Sequence, residues 1–151
     1  MKKYLIILFL FLSLTSNVSA ETKRIIVGNQ DAKITIIAYE SLTCNHCANF
    51  HEEVYPKLKK DYIDTGLAKI EFRHFPLDLA ALNAAKISQC KNNQSLKILE
   101  SLYSNQQTWV KGNTIEEVNE SLKKFIQNEG FKIDFEKCIN NKEIEDFVLN
   151  D

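Results

Sequence analysis

The sequence predicts an α/β fold, one strand–helix–strand unit followed by helices to the C-terminus. Three observations carry that prediction. "ITIIAYE", Ile34 to Glu40, is a short β-branched run behind the turn-like "GNQDAK". "AKIEFRHF", Ala68 to Phe75, alternates Ile70 and Phe72 with Glu71 and Arg73, the period of a strand with one buried face. Between them the apolar spacing becomes helical, and from Asp78 onward it stays helical.

Lys2 and Lys3 precede "YLIILFLFLSL" and then "TSNVSA", with small residues Val18 and Ala20 at the key positions. A charged start, a short apolar run and a small-residue site read as a secretory signal over residues 1–20. The apolar run falls short of the roughly 20 residues a spanning helix needs. Removal of that signal would take away Lys2 and Lys3, shift the formal charge from -1 to -3, and leave 131 residues. That length suits one domain with a real core, and the acidic balance argues against nucleic acid as a partner. All four cysteines lie beyond the signal, and export would put them where disulfides persist.

"RIIV", Arg24 to Val27, reads as a short companion strand. Ile34–Glu40 reads as a buried central strand, because both of its faces are largely apolar. The first helix opens near Cys44 and carries Cys47, Phe50, Val54 and Leu58 along one face, with a kink at Pro56 where the ring removes a donor. A strand, a helix and a strand of these lengths form a βαβ unit with a parallel pair. The helical region starts at a capping Asp78. "QSLKILESLYSNQ" places Leu96, Leu99, Leu102 and Tyr103 on one stripe. Thr114 with Glu117 forms a capping box for a helix whose apolar face is Ile115, Val118, Leu122, Phe125 and Ile126. Gly130 is its stop. Two short helices, in "DFEKCINN" and "KEIEDFVL", finish the chain. The division is thus 1–20 signal, 21–77 βαβ half, and 78–151 helical.

The chemistry concentrates in "ESLTCNHCANFHEE", Glu40 to Glu53. A CxxC pair that follows a strand and opens a helix places Cys44 where free backbone N–H groups favour negative charge. Only the thiolate attacks a disulfide, and such a setting lowers its pKa to between about 7 and about 3.5. Cys47, one turn further in, faces the core. Cys44 is then the nucleophile and Cys47 the resolving partner, with His46 placed to stabilise the Cys44 thiolate. A stabilised thiolate favours the reduced form, so the pair is an oxidant rather than a reductant. Structural zinc is the competing reading. It takes four ligands, and Cys47 with His51 at i, i+4 is its only starting pair, since no second CxxC or HxxxH exists. His51 otherwise reads as a partly buried helix residue, His74 as a satisfied core or edge residue, and Glu40 and Glu53 as solvated carboxylates.

"GNQDAKITIIAYESLTCNHCANFHEEVYPKLK" followed by "EFRHFPLD" resembles the DsbA-like thiol:disulfide oxidoreductases, in the branch with a CxHC motif and an "FH..VYP" helix. The likeness continues through "AAKISQC", "LYSNQQTW" and "FEKCINN", over about Ile25 to Asn141. It implies a thioredoxin-like fold with an inserted helical domain, periplasmic location, and formation of disulfides in exported proteins. It also implies a membrane partner that reoxidises the enzyme, and no dissociable cofactor. By motif position Cys44 attacks, Cys47 is the buried partner and His46 stabilises the thiolate, while Asn45 tunes the potential. Cys90 and Cys138 coincide with cysteines of the helical domain in some relatives. A bridge between them is one of three possible pairings, and two separate buried thiols are the alternative. One departure stands out. The family's cis-proline strand, and the strand and helix after it, have no counterpart, since the only prolines are Pro56 and Pro76. The expectation is a C-terminally truncated member, with an impaired remnant or binding module as the rival reading.

Overall fold

The computed structural model describes residues 22–91 and 93–151; the signal expected over residues 1–20 lies outside them. Three strands, β1 (Ile25–Gly28), β2 (Ile34–Glu40) and β3 (Ala68–His74), form one sheet in the order β1-β3-β2. β2 and β3 are parallel over seven register pairs, from Ile34 opposite Ala68 to Glu40 opposite His74. β1 runs antiparallel to β3, Ile25 opposite Phe72. The parallel pair and the companion strand match the sequence reading. The central position does not: β3 is the middle strand and its alternate residues Ala68, Ile70 and Phe72 are buried, whereas β2 is an edge. Ile34, Ile37 and Tyr39 of β2 are 58%, 44% and 55% exposed. Apolar composition showed that β2 could be buried on both faces, but no second layer covers its outer face among the described residues.

The first helix is continuous from Asn45 but not regular. It passes through α1 (Asn45–Asn49), a π-turn at Phe50–Val54, α2 (Tyr55–Leu58) and a second π-turn at Lys59–Ile63. Pro56 has no N–H to give the fourth residue back, and the π-turn just before it absorbs the mismatch. Widening that turn rotates the buried face. Cys47, His51, Tyr55 and Ile63 pack inward, while Val54, expected on the core face, is 50% exposed.

The helices that follow are α3 (Leu79–Gln89), α4 (Ser95–Ser104), α5 (Gln106–Trp109), α6 (Ile115–Asn128), α7 (Phe135–Ile139) and α8 (Lys142–Leu149). Asp78 caps α3, its Oδ1 accepting from the Ala81 N–H at 2.7 Å. On α4, Ile98, Leu99, Leu102 and Tyr103 are buried, and Leu96 only partly so. Thr114 accepts from the Glu117 N–H at 3.3 Å. The return bond of the expected capping box goes one residue further, from the Asn113 N–H to Glu117 at 2.7 Å. Gly130 ends α6 at φ +75°, a conformation suited to glycine. One continuous apolar cluster joins the sheet (Ile70, Phe72) to α3 (Ile87), α4 (Leu102), α6 (Leu122) and α8 (Val148). No described helix is long and apolar enough to cross a membrane.

Cys90 and Cys138 form a disulfide that joins the end of α3 to α7, 48 positions apart. Closing a loop of that length contributes about 4 kcal/mol on the chain-entropy account. The double variant Cys90→Ala/Cys138→Ala is expected to lose roughly that much stability in urea unfolding, with Cys44 and Cys47 retained.

His74, at the end of β3, is buried and its Nε2 lies 2.9 Å from Gln89 Nε2. Burial pushes its pKa down to about 4, against a smaller upward pull from Asp151. The unfolded chain therefore binds a proton that the fold refuses between an ordinary pKa of about 6.5 and about 4. Stability is full above that window and falls by about 3 kcal/mol as the pH drops through it. Unfolding midpoints measured from pH 7 to pH 4 are expected to show this decline, and His74→Gln to flatten it.

Candidate active site

β2 ends at Glu40, and Ser41, Leu42 and Thr43 carry the chain into the helix. Leu42 is 1% exposed and anchors this turn in the core. The Cys44 N–H donates to the Ser41 carbonyl at 3.1 Å, and the Cys44 carbonyl accepts from the Cys47 and Ala48 N–H groups, each at 3.1 Å. Cys44 thus stands at the helix N-cap with extended backbone (φ -82°, ψ 116°), beside the unpaired N–H groups of the first turn.

Both cysteines are free thiols, and the turn drives them apart. Cys44 is held below the ordinary thiol range, chiefly because the Cys47 side chain and then the Cys47 backbone N–H hydrogen-bond its sulfur. The His46 backbone N–H adds to this, while burial and the Glu40 carboxylate oppose it. Cys47 goes the other way. Burial pushes it up to about 11, and the charges of Cys44 and Glu40 push in the same direction.

The sequence-derived residues Cys44, His46 and Cys47 come together. His46 reaches the Cys44 sulfur with its backbone N–H, and its side chain is exposed. A second correction concerns Glu40, expected to be solvated. It is 8% exposed, and its Oε2 lies 2.7 Å from Nε2 of His51, itself 9% exposed. The His51 ring stacks on Tyr103 with centroids 4.1 Å apart. Among the described residues no group of three or more His, Cys, Asp or Glu is placed to hold a metal.

One residue escaped the sequence reading. Gln106 Nε2, buried at the start of α5, donates to the Leu42 carbonyl at 2.8 Å and to the Cys44 carbonyl at 3.1 Å. Thr43 donates to Asp78 Oδ2 at 2.7 Å, joining the loop to the cap of α3. A glutamine in "SNQQTW" carries no signal for either contact, which depends on how the helices fold back over the sheet. Beside these, a cavity of about 360 Å³ lies between α1 and the α4–α5 corner, with Asn45, Asn49, Ser104 and Gln107 in its wall.

Alkylation of the reduced chain followed across pH is expected to separate the two thiols. Cys44 should react with an apparent pKa below that of an ordinary cysteine and Cys47 with one near 11. Gln106→Ala is expected to narrow that gap by loosening the turn.

Residues 20–151 match the family described as "Thioredoxin". Among curated proteins, a "Putative protein-disulfide oxidoreductase" of Rickettsia conorii is 30% identical over 123 residues, which is 79% of this chain and 43% of that protein. A "Probable disulfide bond formation protein D" of Bacillus cereus is 28% identical over 134 residues, 83% of this chain and 60% of that one. The crystal structure of Wolbachia pipientis alpha-DsbA1 superposes with a TM-score of 0.73 at 36% identity, covering 84% of this chain and 64% of its own. The chain therefore spans about half the length of the rickettsial relatives. Its fold is thioredoxin-like, with the helices from α3 onward as the insertion.

Proposed function

This chain belongs to the thioredoxin family, in its DsbA-like branch, and on that basis we propose that it is a thiol:disulfide oxidoreductase that introduces disulfide bonds into exported proteins. One observation carries the reading. A single turn depresses the pKa of Cys44 and raises that of Cys47, the division of labour that thiol–disulfide exchange requires. A substrate thiolate attacks the Cys44 sulfur of the Cys44–Cys47 disulfide, and Cys47 leaves. A second substrate thiolate then attacks the sulfur joined to Cys44, releasing the oxidised substrate and a Cys44 thiolate. His46 supports that thiolate through its N–H.

Substrates in this reading are reduced proteins in the periplasm, reached through the signal over residues 1–20, and a membrane partner returns the pair to the disulfide. The chemistry lies in residues 21–77, and 78–151 brace the turn through Gln106 and Asp78. The reaction in this reading needs no dissociable cofactor.

A second reading, a catalytically impaired member or binding module, draws on the outer edge of β2, which no other described strand pairs, and on the exposed Ile34, Ile37 and Tyr39. Equilibration of the chain, freed of residues 1–20, with glutathione buffers separates the two, together with its oxidation of a peptide dithiol. An oxidase is expected to show a potential above about -180 mV, and Cys47→Ala, which cannot form the Cys44–Cys47 disulfide, to lose oxidation of the peptide. A potential near about -270 mV would make it a reductant. Failure to oxidise the peptide would favour the impaired member.

A further inference from the structure

The exchange just proposed assigns no residue that holds the substrate chain while its cysteine is joined to Cys44. The cavity of about 360 Å³ between α1 and the α4–α5 corner lies where such a chain would pass. Asn45, directly after Cys44, is in its wall, and so is Gln106, which donates to the Cys44 carbonyl. Small-molecule pockets are mostly apolar. This wall is instead rich in carboxamides and hydroxyls, and the side chains of Asn45, Asn49, Ser104, Gln107 and Thr108 in it are exposed. A carboxamide carries both donors and an acceptor, which match the N–H and C=O of a peptide backbone.

The cavity continues along the helix. A second one, of about 320 Å³, lies between the first helix and α4, and Ser104 is in the wall of both. Together they make a groove beside the first helix, a shape that suits an extended chain better than a compact ligand. Its charge is one-sided. Glu52 in the first cavity is exposed, and Glu100 borders the second. Among the described residues neither carboxylate has an ion-pair partner, whereas Lys59, the one lysine or arginine in the two walls, is held by Asp64 at 2.5 Å. The groove therefore favours a chain that brings positive charge.

We propose that this groove seats the segment of a reduced substrate polypeptide beside the cysteine under exchange, and that Glu52 selects a basic residue in that segment. The inference rests on the oxidoreductase reading above and gives it a substrate class. Helical rise sets the register. Glu52 lies eight positions beyond Cys44, about 12 Å along the helix, and an extended chain covers about 3.3 Å per residue. The favoured Lys or Arg therefore stands about three or four positions from the substrate cysteine. Asn45, Asn49 and Glu52, at i, i+4 and i+7, line the same cavity from one helix. The contacts thus run in line from the Cys44 end of the helix to the carboxylate, with carboxamides for the substrate backbone in between.

The test is capture of single-cysteine peptides by Cys47→Ala in a glutathione buffer, with and without Glu52→Gln. Cys44 first carries glutathione; the peptide thiolate attacks the Cys44 sulfur, and glutathione leaves as its thiolate. The yield at equilibrium ranks each peptide against glutathione. The peptides carry Lys or Glu at both the third and fourth positions, before or after the cysteine. On one side of the cysteine, the preference for Lys over Glu is expected to be about fivefold greater with Glu52 than with Gln, the size of one favourable surface ion pair. Comparing the two chains cancels the effect of the peptide's charges on its own thiol. The gain should fade at about 1 M salt, where the screening length is about 3 Å, and vanish when the lysines move to the seventh and eighth positions. An equal preference in both chains, on both sides, would overturn the proposal. So would a gain that ignores where the lysines stand, since Glu52 would then act at long range and not through a seat in the groove. If Cys47→Ala does not fold, Cys47→Ser takes its place. Capture needs only a reactive Cys44 thiol, so the groove can be judged even if wild type fails to oxidise a peptide. That failure would count against the oxidoreductase reading only.

Discussion

The parallel pairing of β2 with β3 is the constraint on which the site depends. Seven register pairs end with Glu40 opposite His74, and the Phe75 N–H then closes on the Glu40 carbonyl at 2.8 Å. Because side chains alternate along a strand, this register turns Ile36, Ala38 and Glu40 to the face that carries the first helix. A slip of one residue would present Tyr39 to that helix and take Glu40 away from His51. The same register fixes where β2 stops, and hence where the Ser41–Thr43 turn can deliver Cys44 to the start of α1.

A strand end and a helix start do not by themselves hold such a turn. The helical region supplies the rest through polar contacts that reach far along the chain. Gln106 reaches back 64 positions to Leu42 and 62 to Cys44, and Asp78 takes the Thr43 hydroxyl across 35. α5 is kept in place in turn by Trp109, fully buried, whose Nε1 donates to the Leu102 carbonyl at 2.8 Å. A rigid turn matters because the Cys44 environment is built from short hydrogen bonds, which weaken steeply with misalignment.

How much of this the sequence could disclose follows from how local each feature is. The CxxC after a strand, the Asp78 cap and the α6 stop at Gly130 are set within a few residues, and each was readable. Cys90 with Cys138 came from resemblance, because spacing alone cannot choose among pairings. A regular 3.6-residue period puts Val54 on the core face because it hides a π-turn, though Pro56 marks where regularity fails. An apolar run such as β2 shows what could be buried, not what covers it, and so does not tell an edge from a central strand. Glu40 and Gln106 were illegible in a different way. A carboxylate at a strand end is ordinarily solvated and a glutamine ordinarily exposed, and only the packing of α4 and α5 over the turn makes these two exceptions.

Burying Glu40 has a cost that bears on its purpose. A buried polar group costs stability unless it is hydrogen-bonded, and the charge of Glu40 raises the pKa of both thiols. If the site needed only a stabilised Cys44 thiolate, the acid would work against it. The same charge also disfavours a thiolate at Cys47, the sulfur that leaves. The helix N-terminus and the N–H groups at Cys44 then hold negative charge on the exposed sulfur. Glu40 works against charge on the inner sulfur, where the exchange has no use for it.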